Sequence, residues 1–127
     1  MILQMTKRQF KPGVTVVEMK GSIHCGPDCR RVEHEVDALI QAGQIHVIFD
    51  MSGLTHIDSA AIGSIVRCFS NLKKASGELR LAGARGMLEG TLKLTKIDRV
   101  IPLFPTATDA AVNFPAGNLP SGSVPTA

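Results

Sequence analysis

The sequence predicts an α/β domain: a mixed β-sheet with helices packed mainly on one face, in the order β-β-α-β-α-β-α-β-α. Three observations predict it. Short β-branched or apolar runs recur along the chain, stretches with a repeat of three to four residues separate them, and Gly, Pro and Ser punctuate the joins. Each strand-helix-strand crossover must be right-handed, so consecutive crossovers gather their helices on one side.

Taken in order, Ile2 to Phe10 reads as the first strand of a hairpin. After the turn Lys11-Pro12-Gly13, Val14 to Met19 is its partner, ended by Gly21. Pro27 and Asp28 suit a first helical turn, and Cys29, Val32, Val36, Leu39 and Ile40 follow helical spacing up to Gly43. His46 to Met51 is a buried strand, followed by a turn at Ser52-Gly53 and a second helix on which Ile62, Ile65, Val66, Phe69 and Leu72 share a face until Ser76-Gly77. Glu78 to Ala82 is a strand and Met87 to Thr95 a third helix. Val100 to Leu103 is a short strand that Pro102 confines to an edge, and Thr106 to Phe114 is a last small helix. Pro115 to Ala127, PAGNLPSGSVPTA, has no charge and little apolar surface to offset its ordering entropy, so a mobile tail is expected after a domain spanning 1–114. No internal repeat is visible.

Composition narrows the function. A chain of 127 residues has room for one core, and 44% apolar with 20% charged residues is a globular balance. The absence of Trp and Tyr and the scatter of a +3 charge, 14 basic residues against 11 acidic, disfavour nucleic acid. Lys7, Arg8 and Lys11 guard an edge strand against aggregation. No run approaches the ~20 apolar residues that span a bilayer, and the N-terminus lacks a signal-peptide core, so a cytoplasmic protein without membrane insertion is expected. Cys25, Cys29 and Cys68 are expected as free thiols.

The join between strand and second helix holds the chemistry. In HVIFDMSGLTHIDSAAIGSIV, His46 to Val66, an acid and a hydroxyl stand at Asp58-Ser59. Ser59 can cap the first backbone N–H groups of the helix while Asp58 favours its dipole, which explains both residue types. A phosphate on Ser59 would equally suit that helix start and would expel a partner docked over it. Two other chemistries are weaker. His56, Asp58 and Ser59 lie too close in sequence for a hydrolase triad. His24, Cys25, Cys29 and His34 include a Cys-x3-Cys spacing, but Cys29 shares the apolar helix face with Val32 and Val36, so a buried thiol is favoured over zinc.

FDMSGLTHIDSAAIGSI resembles the signature of the STAS domain, the family of bacterial anti-sigma factor antagonists: an apolar strand ending in Asp, a loop, then Asp-Ser-Ser/Thr-Gly-Leu-Gly opening a helix. Asp50, Asp58, Ser59, Ile62 and Gly63 match, and the likeness continues through ASGELRLAG, LKLTKIDRVIPLF and TATDAAV, over roughly residues 12 to 114. The resemblance implies a protein with no catalytic residue, metal or cofactor of its own. Its partner would be an anti-sigma factor with serine kinase activity, which supplies ATP and Mg²⁺, and a phosphatase would reverse the modification. It implies Ser59 as phosphoacceptor and Ser22, His24, His56, Asp58, Ala60, Ala61 and Gly63 as partner-binding positions. Two departures stand out. The family's second Ser/Thr and its Gly are Ala60 and Ala61, and its acidic Gly-Glu-Leu-Asp loop is Gly21-Ser22-Ile23-His24. STAS domains also serve in stressosome-like assemblies and as a small subunit of lipid-transporting ABC systems. A scaffold or regulatory subunit is therefore the alternative, and the oligomeric state stays open.

Overall fold

A computed structural model describes residues 2–24, 26–112 and 114. Strands β1 (Gln4–Lys11) and β2 (Val14–Ile23) form the hairpin, and α1 (Pro27–Gln41), β3 (His46–Ile57), α2 (Ser59–Lys74), β4 (Glu78–Ala82) and α3 (Gly86–Leu94) follow. A 3-10 turn at Ile97–Arg99 leads to β5 (Leu103–Phe104) and α4 (Ala107–Ala111). The five strands lie in chain order, β1-β2-β3-β4-β5, antiparallel at the hairpin and parallel thereafter. Because all three crossovers step the same way, α1, α2 and α3 fall on one face of the sheet. The tail expected at 115–127 lies outside the described residues.

That face holds the main core. Val17, Met19, Val47, Phe49, Leu79 and Leu81 meet Val32 and Val36 of α1, Ile65, Cys68 and Leu72 of α2, and Leu88 and Leu92 of α3. The alternate residues Val14, Val16, Ile48 and Ala82 point the other way, onto Ala107, Ala110, Ala111 and Phe114. The central strand is covered on both sides, which is why Val47-Ile48-Phe49 is a continuous apolar run. Arg80 holds α4 down: its Nη1 donates to the carbonyls of Ala110 (2.9 Å) and Val112 (3.0 Å), and its guanidinium stacks 4.1 Å from the Phe114 ring centre.

The helices end as their sequences dictate. At α1, Gly43 takes φ 78° while Gln44 N–H donates to Leu39 O and Gly43 N–H to Ile40 O. At α2 the left-handed position falls on Ser76, φ 68°, and the glycine stands one place later, at Gly77, where a Cβ would run into the carbonyl of Ile45.

Three expectations are corrected. β2 does not stop at Gly21 but runs on to Ile23. Ser52-Gly53 is not a turn but part of β3, which continues to Ile57. Here β3 carries two extra residues relative to β2, one between Asp50 and Gly53 and one between Leu54 and His56. The bulges change the inward repeat from two to three, so Met51, Leu54 and Ile57 face the core and the strand no longer alternates. The strand placed at Val100 to Leu103 is instead the end of a 3-10 turn followed by β5 at Leu103–Phe104, an edge strand whose neighbour Pro102 gives only its carbonyl, to Leu81 N–H at 2.9 Å. On α2 the buried stripe runs through Ile62, Ile65, Cys68 and Leu72, with Val66 and Phe69 at its half-buried margin.

Candidate functional site

Past Asp50 the chain of β3 has no partner in β4 and continues beside β2 alone, lifting the start of α2 above the carboxyl edge of the sheet. Thr55, the extra residue of the second bulge, ties this ribbon together. Its hydroxyl donates to Gly21 O (3.1 Å) and lies 3.3 Å from Ser22 Oγ and 3.2 Å from His56 Nδ1. The N–H of Asp58 then donates to Ile23 O at 3.3 Å, fixing the exit from β3 against the end of β2.

Asp58, not Ser59, caps the helix. Its backbone is extended (φ −85°, ψ 169°) and its Oδ1 accepts from Ala61 N–H at 2.8 Å, the bond expected of a residue just outside the first turn. A carboxylate makes this cap better than a hydroxyl would, because it also meets the positive end of a 16-residue helix. Ser59 is thereby displaced inward to the first helical residue, where it is exposed and its hydroxyl takes no part in the cap. Capping therefore accounts for Asp58 alone.

The surroundings of Ser59 are low in relief. Ala60 is exposed, and at exposed Gly63, one turn on, an added Cβ would meet nothing within 4 Å. His24 and His56 are exposed on the neighbouring segments, with the N–H of His24 donating to Asp28 Oδ2 at 3.1 Å. Asp58 is half-buried. Ser22 and Ala61, in contrast, are buried: the Ser22 hydroxyl is engaged with Thr55 and the Ala61 methyl lies in the core. The structure thus brings Ser22, His24, His56, Asp58, Ser59, Ala60, Ala61 and Gly63 to one edge of the sheet, but turns the side chains of Ser22 and Ala61 away from any partner.

One residue of this region escaped sequence reasoning. Ser64 is 1% exposed between α2 and α1, and its hydroxyl donates to Glu33 Oε2 at 2.6 Å, with Cys29 O at 3.4 Å. Arg67 Nη2 reaches the same carboxylate at 3.3 Å. The Ser64 hydrogen bond, aided by Arg67 and opposed by partial burial, holds the Glu33 carboxyl below its usual value. The signal was a lone hydroxyl on the apolar stripe Ala61-Ile65-Cys68, since a buried polar group needs a partner.

Other chemistries find little support in the geometry. His56 Nδ1 is engaged by Thr55 rather than directed to Ser59. Cys29 is buried in the main core and Cys68 is buried, its thiol pushed up to about 12 by burial, while Cys25 lies outside the described residues. His24 and His34 are exposed, and among the described residues no group of three or more His, Cys, Asp or Glu side chains could hold a metal ion. Among these residues, too, no helix is long and apolar enough to cross a membrane.

The arrangement of strands, ribbon and capped helix has counterparts among known proteins. A protein of Thermotoga maritima designated an anti-sigma factor antagonist is 26% identical over 74 residues, 58% of this chain and 66% of that relative, just under two thirds of its length. The crystal structure of an anti-sigma factor antagonist from Mycobacterium paratuberculosis superposes with a TM-score of 0.76 at 23% identity, covering 87% of this chain and 92% of the other. The Bacillus cell fate determinant SpoIIAA in its phosphorylated form gives 0.67 at 13% identity over 86% and 97%. At such identities these two structures establish a shared fold. A model of the STAS domain matches residues 6–110, from the first strand to the last helix with Asp58 and Ser59 within it, and the chain therefore belongs to the STAS domain family.

Proposed function

We propose that the protein is an anti-sigma factor antagonist: a non-catalytic, cytoplasmic switch that binds an anti-sigma factor with serine kinase activity and is released when Ser59 is phosphorylated. The observation that carries this reading is the division of labour at the start of α2. Asp58 supplies the cap, so the exposed Ser59 hydroxyl is left for another use. A phosphate there would lie beside the free N–H groups and positive end of the helix, so the fold would accept it. A partner covering Ala60 and Gly63 would meet about −1.5 to −2 new charges at its interface. The relatives designated anti-sigma factor antagonists, and the phosphorylated form of SpoIIAA, support the assignment of the role.

Binding and release test it. Ser59→Ala should bind the partner kinase like the wild type and stay bound when ATP is added, whereas Ser59→Asp should bind poorly while still melting cooperatively. ATP-driven release of the Ser59→Ala protein would refute the reading. The second reading, a scaffold or regulatory subunit, is favoured by the sequence Ser22-Ile23-His24, where the family's two loop carboxylates are missing and the Ser22 side chain is turned inward. If His24 stands in a partner interface, His24→Asp should tighten binding to a standard anti-sigma kinase, and unchanged titration calorimetry would remove this loop from the interface.

A further inference from the structure

Away from the Ser59 surface, the described residues expose five large apolar side chains, and three of them lie in one segment of α3 and the turn after it: Met87 (80% exposed), Leu94 (83%) and Val100 (53%). Met87 and Leu94 are seven residues apart and so share a face of the helix, and between them Gly90 is open, with nothing within 4 Å of an added Cβ. The opposite face explains none of this, because Leu88 and Leu92 already satisfy the core. An unneeded apolar ridge on an exposed helix points to an interaction.

The charge around the ridge says what it meets. Arg85, Lys96 and Arg99 are exposed and take part in no ion pair found among the described residues. Lys93 is exposed too, paired at 3.3 Å with Glu89. Asp98 is the segment's other acid, so residues 85–100 carry four basic groups against two acidic ones. A second copy of the same face would bring like charges together. A partner helix would need its apolar anchors to meet a recess, and the recess beside α3 is lined by Arg85, Glu89, Lys93 and Asp98 and does not include Met87, Leu94 or Val100, which stand out as a ridge. Apolar knobs bordered by cations fit the headgroup layer of an anionic bilayer, where the knobs enter the acyl boundary and the cations meet lipid phosphates.

We propose that the outer face of α3 and the turn after it, Met87, Leu94 and Val100 bordered by Arg85, Lys96 and Arg99, docks on the surface of an anionic bilayer. The contact is peripheral and needs no spanning segment. It does not depend on the phospho-switch, since the face is built from α3 and its exit rather than from the start of α2. Three apolar side chains and three unpaired cations give weak, salt-sensitive adsorption, suited to concentrating the protein near a membrane rather than anchoring it.

Vesicle flotation tests it with the full chain. The protein should float with phosphatidylcholine vesicles containing phosphatidylglycerol, not with phosphatidylcholine alone, and lose the association at high salt. The double variants Met87→Ser/Leu94→Ser and Lys96→Glu/Arg99→Glu should each lower partitioning by at least about tenfold with unchanged melting, while Arg30→Glu on the exposed side of α1 should not. Equal partitioning into both vesicle types, or undiminished partitioning of both double variants, would overturn the proposal. So would an acidic amphipathic peptide that binds this face when the vesicles do not, which would make it a protein-docking ridge.

Discussion

Replacing Asp58 with Ala should cost more stability than replacing Ser59 with Ala, although the serine is the residue that chemistry singles out. Asp58→Ala removes the 2.8 Å acceptor of Ala61 N–H, a loss of about 1 kcal/mol for an N-cap, and takes a carboxylate from the helix N-terminus, about 0.5 kcal/mol more. With an unfolding entropy of about 2.1 cal/mol/K per residue, a total near 1.5 kcal/mol lowers the melting temperature of a chain this long by about 5 to 6 °C. Asp58→Asn should restore most of the loss, because Asn caps nearly as well. Ser59→Ala, at an exposed position outside the cap, should stay within about 0.5 kcal/mol of wild type. Calorimetric melting of the three variants is the assay. A Ser59→Ala protein that melts as low as Asp58→Ala would show that the serine helps hold the helix start, and the division of labour at this site would be wrong.

Ser64→Ala should cost about 1 to 3 kcal/mol by chemical denaturation, because it leaves the partly buried Glu33 carboxylate without its 2.6 Å donor, and NMR titration should show the Glu33 pKa rising toward its ordinary value of 4.5. Ser76→Gly should stabilise the protein by about 0.5 kcal/mol: it relieves a serine held at φ 68°, a gain of about 1 to 2 kcal/mol, partly offset by the freer unfolded chain of glycine. A loss of stability would mean the serine side chain contributes at the end of α2. His46 is 7% exposed, edge-on to Phe114 at 5.2 Å, and its Nδ1 has no hydrogen-bond partner among the described residues. Burial, with Arg80 adding and Glu78 opposing, lowers its pKa below 6.5. As pH falls through that value the unfolded chain takes up a proton that the folded protein refuses, so stability should drop below about pH 6.5 and be fully present above it. His46→Leu should flatten urea midpoints between pH 7.5 and 5.5 (two trial values either side of about 6.5), and an unaltered slope would exclude His46 as its source. Ile65→Ala, 1% exposed at the centre of α2's buried stripe, should cost about 2 to 5 kcal/mol in the same assay.

What the sequence revealed depended on regular repeats. The run His46 to Met51 and the helices around Val32-Val36 and Ile62-Ile65 were readable because one periodicity governs each. The remainder of β3 was hidden because two bulges shift its inward residues to every third position, so Ser52-Gly53 resembled a turn and the ribbon that raises α2 could not be foreseen. At the site, the Asp58-Ser59 pair was legible and its roles were not: which of two adjacent polar residues caps a helix depends on where the backbone first turns helical, and here Ala61 N–H selects Asp58. The inward turn of Ser22 follows from Thr55, an extra residue in a bulge, and the Ser64–Glu33 bond from how α1 and α2 approach each other. The first leaves no local trace in the chain, and the second leaves only a lone hydroxyl on an apolar stripe, which marks Ser64 but not Glu33.

The switch rests on one oxygen atom, the hydroxyl of Ser59. The most direct test incubates the protein with its partner kinase and ATP, maps the product by mass spectrometry and follows the complex by size exclusion. A single phosphate on Ser59, dissociation in step with its appearance, and a folded product are expected. Phosphate on Ser52 or elsewhere with Ser59 unmodified, or full phosphorylation of Ser59 with the complex intact, would contradict it.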